Sequence, residues 1–268
     1  MTTPQQPTPQ ERALIAAVMT WIAGLRAAIS TDDIVLALGS GSAQAILYAL
    51  GRARQLVLDL LPAAREEGAA AVAALDGAAR LSLRFDIHDP KFLSAVEQQG
   101  AKAIREIDNE TQKAVQRLVS DGYRNGWHPR VFAPMIHETV GLTTKQSLAV
   151  ANQFRANIES GMSEVRAQML ADRYAKRLGK LRATTIAISE TIHAANLSRI
   201  AGYEQARQHG LMIGKRPMIE WDSVQTDPNE ICFQMNGQRV PLGSTFEGGL
   251  MPGFVHPRCR CVPQLVLE

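Results

Sequence analysis

EWDSVQTDPNEICFQMNGQRVPLGSTFEGGLMPGFVHPRCRCVPQ, residues 220–264, differs from everything that precedes it. All three cysteines of the chain, Cys232, Cys259 and Cys261, fall inside it, and His256 stands three residues before Cys259. The stretch is rich in Gly and Pro and short in apolar runs, whereas the upstream sequence reads as helical. So few residues cannot bury a large core. An element of this kind needs a staple.

The residues offer a chemical basis for one. Cys232 plus the run His256-x-x-Cys259-x-Cys261 supplies four soft ligands, the number that a structural zinc ion takes. If residues 258–261 are extended, side chains alternate along them. Cys259 and Cys261 then share a face, Arg258 and Arg260 project from the other, and His256 joins the thiols through the Pro257 corner. Met235 occupies the position where a second upstream Cys would complete a Cys-x-x-Cys pair with Cys232. Three states stay open at this stage: zinc on Cys232, His256, Cys259 and Cys261, a reduced and unliganded thiol cluster, or a disulfide.

Further pieces stand in a fixed order along the chain. They are Thr185 to Thr191 (TIAISET), Asn196 to Arg199 followed by Gly202-Tyr203, and Glu220-Trp221 with Asp227 ahead of Cys232. Asn236 to Leu242 (NGQRVPL) and His256 to Cys261 (HPRCRC) complete the set. Together they resemble the carboxy-terminal domain of the phage Mu protein F and SPP1 gp7 family of minor head proteins, with His-Pro-x-Cys-Arg-Cys as the most specific motif. Two positions depart from the family pattern. Met235 replaces a common Cys, which weakens the metal reading, and His193 stands where Arg is common. The resemblance implies a minor structural protein of a tailed-phage head. Its partners would be portal, capsid or scaffold proteins during head morphogenesis, in the host cytoplasm and then in the virion near the portal. Some relatives bind the packaged double-stranded DNA or leave with it.

Composition agrees with a mainly α fold, an extended helical amino-terminal region carrying a small α+β carboxy-terminal domain with a short, Cys/His-containing β-hairpin. The 268 residues are 46% hydrophobic but only 5% aromatic, a balance that suits helices built from small and straight-chain residues. A net charge of +3 excludes a strong polyanion binder acting through total charge. An odd cysteine count does not fit a secreted disulfide scaffold. Residues 1–12 are polar and Pro-rich, lack a basic signal region, and are expected to form a flexible arm. A helical region 13–88, a helical middle region 89–165 and a carboxy-terminal domain 166–268 follow. The uncharged run Ala13 to Leu25 is too short to span a bilayer, so it reads as a packing helix and no stable membrane span is expected.

Local signals place the elements. Gly39-Ser40-Gly41-Ser42 reads as a turn with Ser42 as a helix cap, and no Lys-Ser or Lys-Thr follows to make a phosphate loop. Pro62 suits a first helical position, and residues 81–87 read as an extended linker. Asp89-Pro90 caps a helix whose inner face carries Val96, Ile104, Ile107, Thr111, Val115 and Leu118 at helical spacing. A shorter helix starts at residues 127–129 and ends by Gly141. Thr143 and Gln146 form a capping box, opening a helix through Phe154 towards Gly161. Arg173, Lys176, Arg177 and Lys180 fall at i, i+3, i+4 and i+7 and share one helix face. With Arg182, Arg258 and Arg260 they are the candidate contacts for DNA phosphates or a partner protein. Ala-rich helix faces permit close approach to partners or to further copies of the chain. Glu190 and His193 read as a helix-packing pair. A Cys259–His256 nucleophile lacks an orienting third group, so no enzymatic activity is expected.

Overall fold

Thr8 and Glu11 open the first helix. Glu11 N donates to Thr8 Oγ1 at 3.1 Å, and Thr8 N donates back to Glu11 Oε2 at 2.7 Å, a reciprocal cap. Helix α1 (Pro9–Ala27) therefore begins inside the segment expected to be a flexible arm. The Pro content of that segment conceals a Thr-x-x-Glu box, and Pro9 itself suits a first turn, where its missing N–H is not needed.

The computed structural model describes residues 7–39, 43–51, 59–75, 83–124, 126, 128–223 and 230–268. After α1 come α2 (Thr31–Gly39), α3 (Ala43–Gly51), α4 (Leu61–Ala73), α5 (Pro90–Arg124), α6 (Pro129–Thr139), α7 (Thr144–Glu159) and α8 (Glu164–Gln208). Strand β1 (Pro217–Asp222), short helix α9 (Ile231–Met235), β2 (Arg239–Pro241) and β3 (Val262–Leu267) complete the chain. The fold is thus mainly α with a small β-containing carboxy-terminal part, as expected. The expected turn at 40–42 with its Ser42 cap, the linker residues 81–82, Trp127 and Asp227 lie outside the described residues.

Helix starts follow the sequence signals. Asp89 Oδ1 accepts from Phe92 N at 2.9 Å ahead of α5. Ahead of α7, Thr143 Oγ1 accepts from Gln146 N at 3.3 Å and Gln146 Oε1 accepts from Thr143 N at 3.1 Å. Among the described residues no single helix is long and apolar enough to cross a membrane; α1 and α2 pass that test only as a pair bent by 54°.

The chain divides into two compact units, one of Met1–Arg12, Leu58–Lys102 and Thr185–Glu268, the other of Ala13–Val57 and Ala103–Thr184. These interleave along the sequence, unlike the consecutive segments expected from it. In the second unit, Val18, Ile22, Ile34, Leu118, Phe132, Ile136 and Leu142 are buried together with an Ala stripe on α8, Ala167, Ala171 and Ala175. Residues of this spacing lie on one side of a helix and, being small, allow neighbours to approach closely.

The first unit holds the sheet. Its order is β2-β1-β3, with both pairings antiparallel. Ile219 pairs with Val240 on one side and Leu265 on the other. Beneath lie Ile219, Trp221, Met235, Leu242, Phe246 and the three cysteines in one apolar cluster with Tyr203 and Ala206 of α8. Trp221 meets Phe246 edge-on, ring centroids 5.1 Å apart.

Candidate metal centre

The carboxy-terminal loop is fastened to one face of α8 by short polar side chains. Ser189 Oγ accepts from Arg258 N at 2.9 Å. Thr185 Oγ1 accepts from the Arg258 guanidinium through Nε at 3.1 Å and Nη2 at 2.8 Å. Asn196 Nδ2 donates to both Pro252 O and Cys261 O, each at 2.9 Å. Residues 185, 189 and 196 recur at i, i+4 and i+11, so they face the same way. Gly253 adopts φ +87° against Ile192 and Asn196, and a Cβ there would run into the Asn196 amide. Only glycine allows the loop this approach.

These bonds correct the extended geometry expected for residues 258–261. Cys259 N donates to His256 O at 3.1 Å, a turn, and Arg258 takes φ +60°. A non-glycine residue in the left-handed region is unfavourable unless its surroundings hold it there; Ser189 and Thr185 do so. Strand β3 begins only at Val262. The turn therefore ends at Cys259, and beyond it Cys259, Arg260 and Cys261 are buried, exposed and buried in turn, the two thiols on the inner side as alternation expects. Arg258 is half-buried against Thr185 and does not project outward, whereas Arg260 is exposed.

The three cysteines are free and buried, and their sulfurs all lie within 4.8 Å of one another. Cys232 Sγ is 3.5 Å from Cys259 Sγ and 3.4 Å from His256 Nε2. His256 Nδ1 stands 3.1 Å from Pro257 O. A proton on Nδ1 would be bound there, leaving the Nε2 lone pair towards the sulfurs, the arrangement that metal-ligating histidines adopt. His256 is half-buried and stands outside the mutually close trio of thiols. The sulfurs share their protons unequally. A hydrogen bond from the Cys261 thiol, aided by others from the Cys261 backbone and the Cys232 thiol, brings Cys259 down to about 4 against the opposing effect of burial. Burial first, then donation to Cys259, pushes Cys232 up to about 11. Donation to Cys259 likewise pushes Cys261 upward. Thiolate is the form that ligates soft metals. Three buried sulfurs this close can hold a metal ion.

The other predicted residues scatter. Arg173, Lys176, Arg177 and Lys180 are exposed on α8. Lys176 interacts with the Glu138 and Asp172 carboxylates, and the Arg177 guanidinium lies 5.0 Å from the Tyr174 ring centroid. Arg182 is only 5% exposed. Its guanidinium donates to Gly141 O, to Ile107 O at 3.2 Å and to Thr111 Oγ1 at 3.3 Å, so it is not a surface contact. Glu190 and His193 do form a packing pair, with His193 Nδ1 3.3 Å from Glu190 Oε2 and the imidazole stacked on Phe254 at 4.2 Å. Gln99 Nε2 reaches both, at 3.2 Å from Glu190 Oε2 and 3.0 Å from His193 Nδ1.

The sequence reading missed Gln99 and the roles of Thr185, Ser189 and Asn196 as anchors of the Cys loop. The helical spacing of these three short polar residues was the available signal. No family model, curated protein or solved structure matches this chain.

Proposed function

We propose that this chain is a minor structural protein of a tailed-phage head, docking on the portal or procapsid during assembly and residing near the portal, with its first unit stapled by zinc. One observation supports it most. The segments that carry the resemblance, dispersed from residue 185 to 261, pack as a single body. Thr185, Ser189 and Asn196 grip the HPRCRC loop. The NGQRVPL turn joins the strand that carries Glu220-Trp221, for Trp221 N donates to Gln238 O at 2.9 Å and Gly237 N to Trp221 O at 2.8 Å. Cys232 closes on Cys259.

For the staple, a tetrahedral zinc with Zn–S of about 2.3 Å sets neighbouring sulfurs about 3.8 Å apart. The 3.5 Å pair and the 4.8 Å limit on all three bracket that spacing. Cys232, Cys259 and Cys261 would supply three ligands and His256 the fourth. In this role the ion holds loops together and carries out no reaction.

Co-expression with the portal protein from the same phage genome tests the structural role. The expected result is joint elution in size-exclusion chromatography at moderate salt, with DNA removed by nuclease; separate elution at low salt as well as moderate salt rejects it. A second reading, a DNA-binding protein delivered with the genome, is favoured by the exposed face of Arg173, Lys176, Arg177 and Lys180, which spans about 10 Å along the helix. Four phosphate contacts would give a slope of log affinity against log salt of about −3.6. Arg173→Glu with Arg177→Glu would reduce that slope by about 2. A wild-type slope near zero removes this reading.

A further inference from the structure

Ile213 is 86% exposed, more than any other large apolar side chain among the described residues. The loop that carries it is fixed. Helix α8 ends in a Schellman turn, with Leu211 N donating to Ala206 O and Gly210 N to Arg207 O, each at 3.1 Å, and Gly210 at φ +83°. A second turn follows at once, Lys215 N donating to Met212 O at 3.1 Å with Gly214 at φ +75°. Met212 is buried in the apolar cluster of the first unit, and Arg216 exchanges backbone bonds with Glu268 at 2.7 and 3.0 Å. Ile213 is thus held outward at the corner of the second turn.

A lone apolar side chain on a surface needs no explanation, but the core of the first unit opens beside this one. Leu75, Leu211, Met212, Leu265 and Leu267 line a depression of about 180 Å³, with the exposed Lys215 among them. An apolar cavity of about 150 Å³ admits a benzene-sized group, so one aliphatic or aromatic side chain fits. The surrounding charge is of one sign. Arg207, Lys215 and Arg216 are exposed, and no acidic residue stands between Glu204 and Glu220. Arg207 suits the carboxy-terminal end of a helix, whereas Lys215 and Arg216 lie beyond both turns. Glu268, paired with Arg216 through the backbone, gives its carboxylate to Arg239 at 3.1 Å. We propose that this loop and depression bind a segment of a partner protein that carries one large apolar residue among acidic ones. The apolar side chain enters the depression, Ile213 packs on the segment, and its carboxylates meet Lys215 and Arg216. A second copy of the chain would bring the same cations face to face, which is unfavourable. DNA supplies phosphates but no side chain for the depression. The surface is defined without the phage-head reading and stands independently of it.

The test presents the full-length protein with a yeast-displayed library of short random peptides. Enriched peptides are expected to carry Asp or Glu on both sides of a Leu, Ile, Met or Phe. Their affinity, read by fluorescence polarisation, is expected to fall about ten-fold in Ile213→Ser and about as much in Lys215→Glu with Arg216→Glu, and to weaken as salt is added. Ile213 faces solvent, so its replacement leaves the fold intact; should the double variant misfold, the salt dependence carries the charge arm. Absence of enrichment overturns the proposal, as do enriched peptides that lack acidic residues or that bind a folded variant as tightly as the wild type. Phosphatidylglycerol vesicles and size-exclusion chromatography of the protein alone complete the comparison. Vesicle binding without peptide enrichment assigns the surface to a membrane, and self-association lost in Ile213→Ser assigns it to a second copy; either result rejects the proposal.

Discussion

Cys259→Ser is expected to abolish zinc uptake and to cost the first unit about 5 kcal/mol or more, because a structural zinc site contributes on the order of 10 kcal/mol to folding. That is comparable with the whole net stability of a domain, about 5–15 kcal/mol. Cys259 is the most consequential ligand to remove. It is 1% exposed, and it sits between the loop fastened to Ser189 and the partner thiol of Cys232. Near-ultraviolet circular dichroism of the Trp221–Phe246 pair should collapse, and a chelator should reproduce the effect in the wild type. His256→Ala should cost less, since His256 is half-buried and water can occupy the place its Nε2 vacates. Should Cys259→Ser melt where the wild type does, with the wild type indifferent to chelator, the thiols are a reduced packing cluster and the staple reading is lost.

Much of this centre is legible in the chain. Cys232, Cys259, Cys261 and His256 read as one group from their residue types alone, and the structure gathers the three thiols within 4.8 Å of one another, with His256 Nε2 3.4 Å from Cys232 Sγ. The turn that leads into Cys259 was not legible. Period-two alternation is the default for a short segment that leads into a strand, and it gives no hint that Arg258 turns left-handed. That turn exists because Ser189 and Thr185, seventy residues away, accept from Arg258. Bonds between distant positions leave no local periodic trace. Helix caps are the opposite case. The Thr143–Gln146 box and the Asp89 cap are contained within four residues, and both form as read. The Thr8–Glu11 box is equally local, and only its proline-rich setting concealed it.

Arg182→Ala is expected to destabilise the second unit by about 3 kcal/mol, measured as a shift of the urea unfolding midpoint, although the residue belongs to a run that looks like a solvated basic face. The spacing already separates it. Arg173, Lys176, Arg177 and Lys180 share one side of α8, whereas Arg182 follows at i+9 and points with Ala171 and Ala175 into the interior. There its guanidinium bridges three acceptors, Gly141 O, Ile107 O and Thr111 Oγ1. Gly141 terminates the segment after α6 at φ +86°, so its carbonyl has no helical partner to fall back on. Burial pulls Arg182 down to about 10, with Glu110 and Asp108 opposing the fall; it stays charged at neutral pH. Removing the side chain relieves that desolvation but strands the Gly141 carbonyl in the core and weakens the bonding of the Ile107 carbonyl. Each buried group left without its partner costs about 1–3 kcal/mol, and the lost aliphatic stem leaves a cavity. The unmade bonds outweigh the relief. Arg182→Lys should recover only part of the loss, since one ammonium cannot reproduce the planar fork that meets acceptors on both sides. Thr111→Val, which removes one acceptor and leaves the two carbonyls bonded to Arg182, should cost about 1 kcal/mol. An Arg182→Ala variant within 0.5 kcal/mol of the wild type, about the range of ordinary surface substitutions, would put Arg182 back on the exposed face with its four neighbours.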